Sequence, residues 1–128
     1  DELIVFEVKA QFSDKKAKNR LQDAVNDSNK DITRVGEFLN YAKQRFIREK
    51  QSKERDIIER FQNISDNPYI ERFGAVAFFT DENFDEEIIQ QTNCANHLKK
   101  DTLTLLVFTG KDMMALVHSL YERAANEA

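Results

Sequence analysis

Several things are scarce in this chain, and each scarcity removes a class of protein. One cysteine, Cys94, in 128 residues rules out an internal disulfide and any cysteine-built metal site. Three glycines and a single proline, Pro68, leave little room for a Gly-rich phosphate loop, a collagen-like repeat or a flexible linker. No stretch approaches the ~18 apolar residues that span a bilayer. The apolar run at the start follows two acids and lacks a basic leader, so it is not a secretory signal. A cytoplasmic location follows. Excess positive charge is missing too: 19 Lys and Arg stand against 23 Asp and Glu, a net charge of −4. That argues against a passive nucleic-acid coat, which would be basic. It leaves room for a local basic face, and residues 43–60 hold seven basic residues among four acids.

What is present is a folded, charge-rich chain of single-domain length with 41% hydrophobic residues. Residues 2–10, "ELIVFEVKA", predict a strand of β-branched and aromatic residues. Ser13 and Asp14 read as the start of a helix over 14–28, and apolar spacings of three and four resume from Ile32 to Ile47. The polar interval "NDSNKD" and Gly36 suggest a second helix over 31–50, or one long kinked helix. A third helix is expected over 53–62, and "NISDNPY" ends it. The runs "RFGAVAFFT" (72–80) and "TLTLLVFT" (102–109) read as strands buried on both faces. A turn at 81–84 and a short acidic-fronted helix separate them, and an amphipathic helix over 111–126 closes the chain. The expected architecture is α/β: one domain over 1–128, a mixed sheet flanked by helices.

The first strand carries the chemistry. Alternation puts Leu3, Val5, Glu7 and Lys9 on one face, with the Glu7 and Lys9 Cα atoms roughly 6–7 Å apart. A carboxylate there can hold a hard divalent cation, and an ammonium can offset charge on a phosphate. The bare acid-x-Lys triplet is weak, since Asp14-Lys15-Lys16 repeats it with nothing to mark a site. A salt link at a solvated strand end remains open. Context strengthens the first copy, which ends a hydrophobic strand and precedes a polar helix.

Strand-borne "EVK" followed by such a helix resembles the second half of the PD-(D/E)xK nuclease superfamily. The layout of "GAVAFFTDENFD" and "LTLLVFTGKDMMALVHSLYERA" is more narrowly similar to the C-terminal part of HamA-type proteins, the nuclease subunits of the Hachiman anti-phage system. The resemblance implies a restriction-endonuclease-like core and Mg²⁺ or Mn²⁺ as cofactor. It implies Glu7 and the Val8 backbone carbonyl as metal ligands and Lys9 as the catalytic amine. DNA is the implied substrate and a helicase the implied partner. The family also uses a further acid on a neighbouring strand. Asp1 lies roughly 20 Å from Glu7 along one strand, too far to share an ion. That acid is therefore expected upstream, and the chain is read as the C-terminal part of a longer nuclease domain.

On the following helix, Arg20 and Gln22 are the candidate substrate-binding residues, with a solvated helix face as the alternative. The 43–60 stretch reads as an exposed face laced with i,i+4 pairs in preference to a phosphate track. His97 and His118 lack partners at metal spacing, and His118 reads as structural. Cys94 lacks the basic surroundings of a reactive thiol. Asp81 and Glu82 read as turn residues, and Met113–Met114 as helix filling or an interface patch. Two other readings stay open: a non-catalytic module docking a partner through 31–62, and the same chemistry on RNA.

Overall fold

The computed structural model describes residues 1–11 and 19–127. Strand β1 (Glu2–Gln11) leads to helices α1 (Arg20–Asp31), α2 (Val35–Arg48) and α3 (Ser52–Gln62). Strand β2 (Ile70–Thr80), the short helix α4 (Glu86–Gln91), strand β3 (Leu103–Gly110) and helix α5 (Met113–Glu127) follow. The sheet order is β1-β2-β3, with β2 parallel to both neighbours. Among the described residues the sheet is therefore wholly parallel, not mixed as expected. The reason lies in the connections: α1–α3 and α4 each carry the chain back to the start of the sheet, as parallel strands require.

α1 begins later than the sequence suggests. Asn19 caps it, its side chain accepting a hydrogen bond from the Gln22 backbone at 3.1 Å. Ser13 and residues 14–18 of the expected helix lie outside the described residues. "NDSNKD" does not break the helix, which runs through Asp31 into a 3₁₀ turn, Ile32–Arg34, before α2. α2 ends in a Schellman turn: Gln51 N–H bonds Phe46 O at 2.9 Å and Lys50 N–H bonds Ile47 O at 3.2 Å. Lys50 takes the left-handed conformation there, φ 56°.

α1 and α2 cover one face of the sheet. Leu21, Ala24 and Val25 of α1 bury against Ala75, Ala77 and Phe79, and Val35 and Leu39 of α2 bury against Phe73. Register places Val5, Glu7 and Lys9 on this covered face, opposite Phe73, Ala75 and Ala77. On the other face Ile4, Phe6, Val8, Leu106 and Phe108 are all exposed. β2 is buried nearly throughout, as its apolar run predicts, but β3 alternates between half-buried and exposed. Its apolar run misled because an edge strand of a one-sided layer needs only one buried face. α5 covers little of the open face: Met113 is fully buried, whereas Leu116 and Leu120 on the same stripe are exposed. At the centre of that face Gly74 lies directly under the Phe6 ring, leaving no room for a Cβ.

Candidate active site

α1 runs back along β1, so its side chains descend the strand in reverse order. Helical positions four apart sit one above the other, and strand positions two apart share a face. Asp27 thereby meets Lys9, and Asp31 meets Glu7. Lys9 Nζ lies 2.6 Å from Asp27 Oδ2 and 3.9 Å from Glu7 Oε2. Asp27 is held from its other oxygen by Lys30 Nζ at 3.2 Å. The lysine and both of its acids are about a quarter to a third exposed, and Asp31 is buried.

These neighbours divide the charges in opposite ways. Burial, a hydrogen bond to Asp31 and repulsion from that carboxyl push the Glu7 pKa up to about 7, against a smaller pull from Lys9. Hydrogen bonds from Lys9 and then Lys30 hold Asp27 below the usual carboxylate range. The Lys9 ammonium is raised by its hydrogen bond to Asp27. At neutral pH Lys9 is thus a fixed cation, while Glu7 stands near its midpoint beside another carboxyl.

The structure therefore brings Glu7 and Lys9 together as the alternation of β1 predicts. Val8 turns its side chain to the open face, and its backbone lies between the two on an edge strand. Arg20 stands on the same flank of α1 as Asp27; its guanidinium bonds Asp23 at 3.2 Å and its charge is felt by Lys9. Gln22 is placed elsewhere. It donates to Asn26 Oδ1 at 2.9 Å and Asn93 O at 3.0 Å, and accepts from Asn93 N–H at 2.6 Å. The helix turns it away from β1 to clamp the loop before β3. That loop and α1 enclose a cleft lined by Gln22, Asn26, Asn29, Asn96 and His97, with neither Glu7 nor Lys9 in its wall.

Asp1 sits with Arg60 of α3 at 2.6 Å, at the far end of β1 from the pair. Arg45–Glu49 at 3.0 Å and Arg55–Glu59 at 3.9 Å lace the basic stretch as expected. His97 is buried, accepting at Nδ1 from the Lys99 backbone at 3.0 Å. Its Nε2 therefore carries the proton and donates to Ser28 Oγ at 3.1 Å. Burial lowers its pKa, so the ring is a neutral clamp between α1 and the loop. Burial also raises the Cys94 thiol pKa, away from a reactive thiolate. Asp81 and Glu82 lie in a 3₁₀ turn, and His118 pairs with Glu122 at 3.4 Å on the exposed side of α5.

Asp27 and Asp31 are what sequence reasoning missed. The interval "NDSNKD" reads as a polar break, yet Leu21, Ala24, Val25 and Ser28 continue one buried stripe through it. Extending that stripe by one turn would have placed both acids on the flank facing β1.

A divalent cation would find few side chains here. Among the described residues no three His, Cys, Asp or Glu are arranged to hold a metal. Glu7 and Asp31 bring two carboxyl groups to one point, and Mg²⁺ often binds through one or two carboxylates while keeping several waters. The donor set suits that hard ion and not a tetrahedral Zn²⁺ cage.

No helix among the described residues is long and apolar enough to cross a membrane. No curated protein and no solved structure matches the chain. A family model described as HamA matches residues 1–124, nearly the whole length, so the chain belongs to the HamA family, a membership that fits a role in anti-phage defence.

Proposed function

We propose that the chain is a metal-dependent nuclease domain of the PD-(D/E)xK type, with a restriction-endonuclease-like core, that hydrolyses DNA in the cytoplasm. The observation that carries this reading is the convergence of Glu7 and Lys9 on one strand face, with the Asp31 carboxyl beside Glu7. Glu7, Asp31 and the Val8 carbonyl would hold Mg²⁺ or Mn²⁺. Bound there, the cation supplies Lewis-acid polarisation of the phosphate and a lowered pKa for an attacking water.

The chain's own residues do the rest. Lys9, kept charged by Asp27, offers its ammonium to the non-bridging oxygens as negative charge builds on them. It is too basic in this setting to serve as the general base. Arg20 adds a second positive charge on the same flank and engages the backbone phosphates. Gln22, committed to the loop, leaves the substrate-binding role to Arg20.

The test is cleavage of plasmid DNA and of RNA with Mg²⁺ or Mn²⁺, alone and with a helicase partner, comparing the wild type with Glu7→Ala and Lys9→Ala. Cutting by the wild type and loss of at least ~10²-fold in each variant supports the site. Equal cutting by all three sinks it, and RNA-only cutting moves the substrate. A second reading, a non-catalytic interaction module, draws on the open sheet face, where Ile4, Phe6 and Phe108 lie exposed on neighbouring strands. It gains if the wild type cuts neither nucleic acid under any of these conditions.

A further inference from the structure

We infer that Asp27 is a positioning residue, setting where the Lys9 ammonium stands when the phosphodiester is cleaved. The inference rests on the nuclease reading above and concerns a residue outside the strand motif. Lysine reaches its charge through four rotatable bonds, so a free ammonium samples many positions. Among the described residues Lys9 has one short partner. Asp27 Oδ2 is at 2.6 Å, the length of a strong charge-assisted bond, whereas Glu7 at 3.9 Å is too distant for a hydrogen bond.

Asp27 is itself fixed. Its other oxygen takes Lys30 at 3.2 Å, and its backbone belongs to a helix anchored through Leu21, Ala24, Val25 and Ser28, all buried. The next turn of that helix carries Asp31 to Glu7. α1 thus acts as a bracket, presenting one carboxyl to each functional side chain of β1. The alternative is a salt link that only fastens α1 to the sheet. Such a link would affect folding, and would leave turnover by the folded protein unchanged.

The experiment is steady-state DNA cleavage by the full chain, with its partner where cutting requires one, for the wild type, Asp27→Asn, Asp27→Glu and Lys9→Ala. Asp27→Asn is expected to lower kcat about 10- to 100-fold with KM within about twofold, because the ground-state contacts to DNA are untouched. Asp27→Glu, with the charge kept on a longer arm, falls between Asp27→Asn and the wild type. In the metal-free protein, a slowly exchanging Lys9 ammonium signal in nitrogen-15 NMR spectra is expected for the wild type and is lost in Asp27→Asn. Wild-type kcat in Asp27→Asn, or an ammonium signal that persists, overturns the inference. Should Asp27→Asn fail to fold, Asp27→Glu decides: a lower kcat at constant KM upholds the role, and an unchanged kcat overturns it. Loss of cutting in Lys9→Ala together with full cutting in Asp27→Asn refutes the positioning role alone. Full cutting in Lys9→Ala refutes the nuclease site, and the positioning role falls with it.

Discussion

The two faces of the sheet contain residues of similar kind but lead different lives. On the covered face Phe73 and Phe79 are fully buried under α1 and α2, and the strand charges at Glu7 and Lys9 are met by acids of the helix. On the open face Phe6 and Phe108 are each 48% exposed, although Phe108 stacks on Phe78 with centroids 5.0 Å apart. Apolar composition does not distinguish these faces; the helix opposite does. A partly buried charge needs a partner within hydrogen-bonding reach, and for Glu7 and Lys9 α1 supplies it. The candidate chemistry and the core therefore share a face.

Stability should expose this difference most strongly. Phe73→Ala empties a filled position on the central strand and should cost about 3–5 kcal/mol. Phe6→Ala removes a ring already half in water and should cost about 1 kcal/mol. Urea unfolding of both variants checks the contrast. A Phe6→Ala loss as large as that of Phe73→Ala would mean that something covers the open face in solution.

The candidate site should show an effect of opposite sign. Glu7 has its pKa pushed up to about 7 in the folded chain, from 4.5 as a free side chain. The folded state then binds more protons than the unfolded state between those values, so Glu7 makes stability fall as pH rises from about 4.5 to 7. The cost at pH 8, discounted for the quarter of the side chain that meets water, is about 1–2 kcal/mol. Glu7→Gln stays neutral and can still hydrogen-bond Asp31. Its melting temperature should exceed that of the wild type at pH 8 and match it near pH 4.5, while cleavage is lost. Mg²⁺ or Mn²⁺ should raise the wild-type melting temperature at pH 8 and leave that of Glu7→Gln unmoved. A variant that gains no stability at pH 8 would show that burial and Asp31 together do not raise the Glu7 carboxyl.

Much of the fold was legible because its signals are local. Alternation along β1 placed Glu7 and Lys9 on one face, and the apolar runs marked β2 and β3 as strands. Three features were not legible, and each depends on what faces an element. The exposed half of β3 follows from the absence of a second helical layer over Leu106 and Phe108 among the described residues. The parallel order follows from how the crossovers return. The acids Asp27 and Asp31 acquire meaning only once α1 is laid antiparallel to β1. Gln22 shows the same limit from the other side: it lies on the expected helix, and the helix turns it toward Asn93.

The smallest expected effect lies away from both faces, at the end of α2, and asks whether backbone strain there is independent of them. Lys50 holds φ 56° in a Schellman turn whose two hydrogen bonds need that left-handed residue. A side chain in this region costs roughly 1 kcal/mol relative to glycine, whose missing Cβ removes the clash. Among the described residues Lys50 makes no ion pair that would offset the cost, so Lys50→Gly should stabilise by about 0.5–1 kcal/mol, less the unfolded-state entropy that glycine adds. Because the turn touches neither Phe73 nor the Glu7–Lys9 pair, the gain should add to the effects of Phe73→Ala and Glu7→Gln within about 0.5 kcal/mol. Non-additivity with Phe73→Ala alone would tie the α2 terminus to the covered face. Non-additivity with Glu7→Gln would mean that the helical layer moves as one piece over the site.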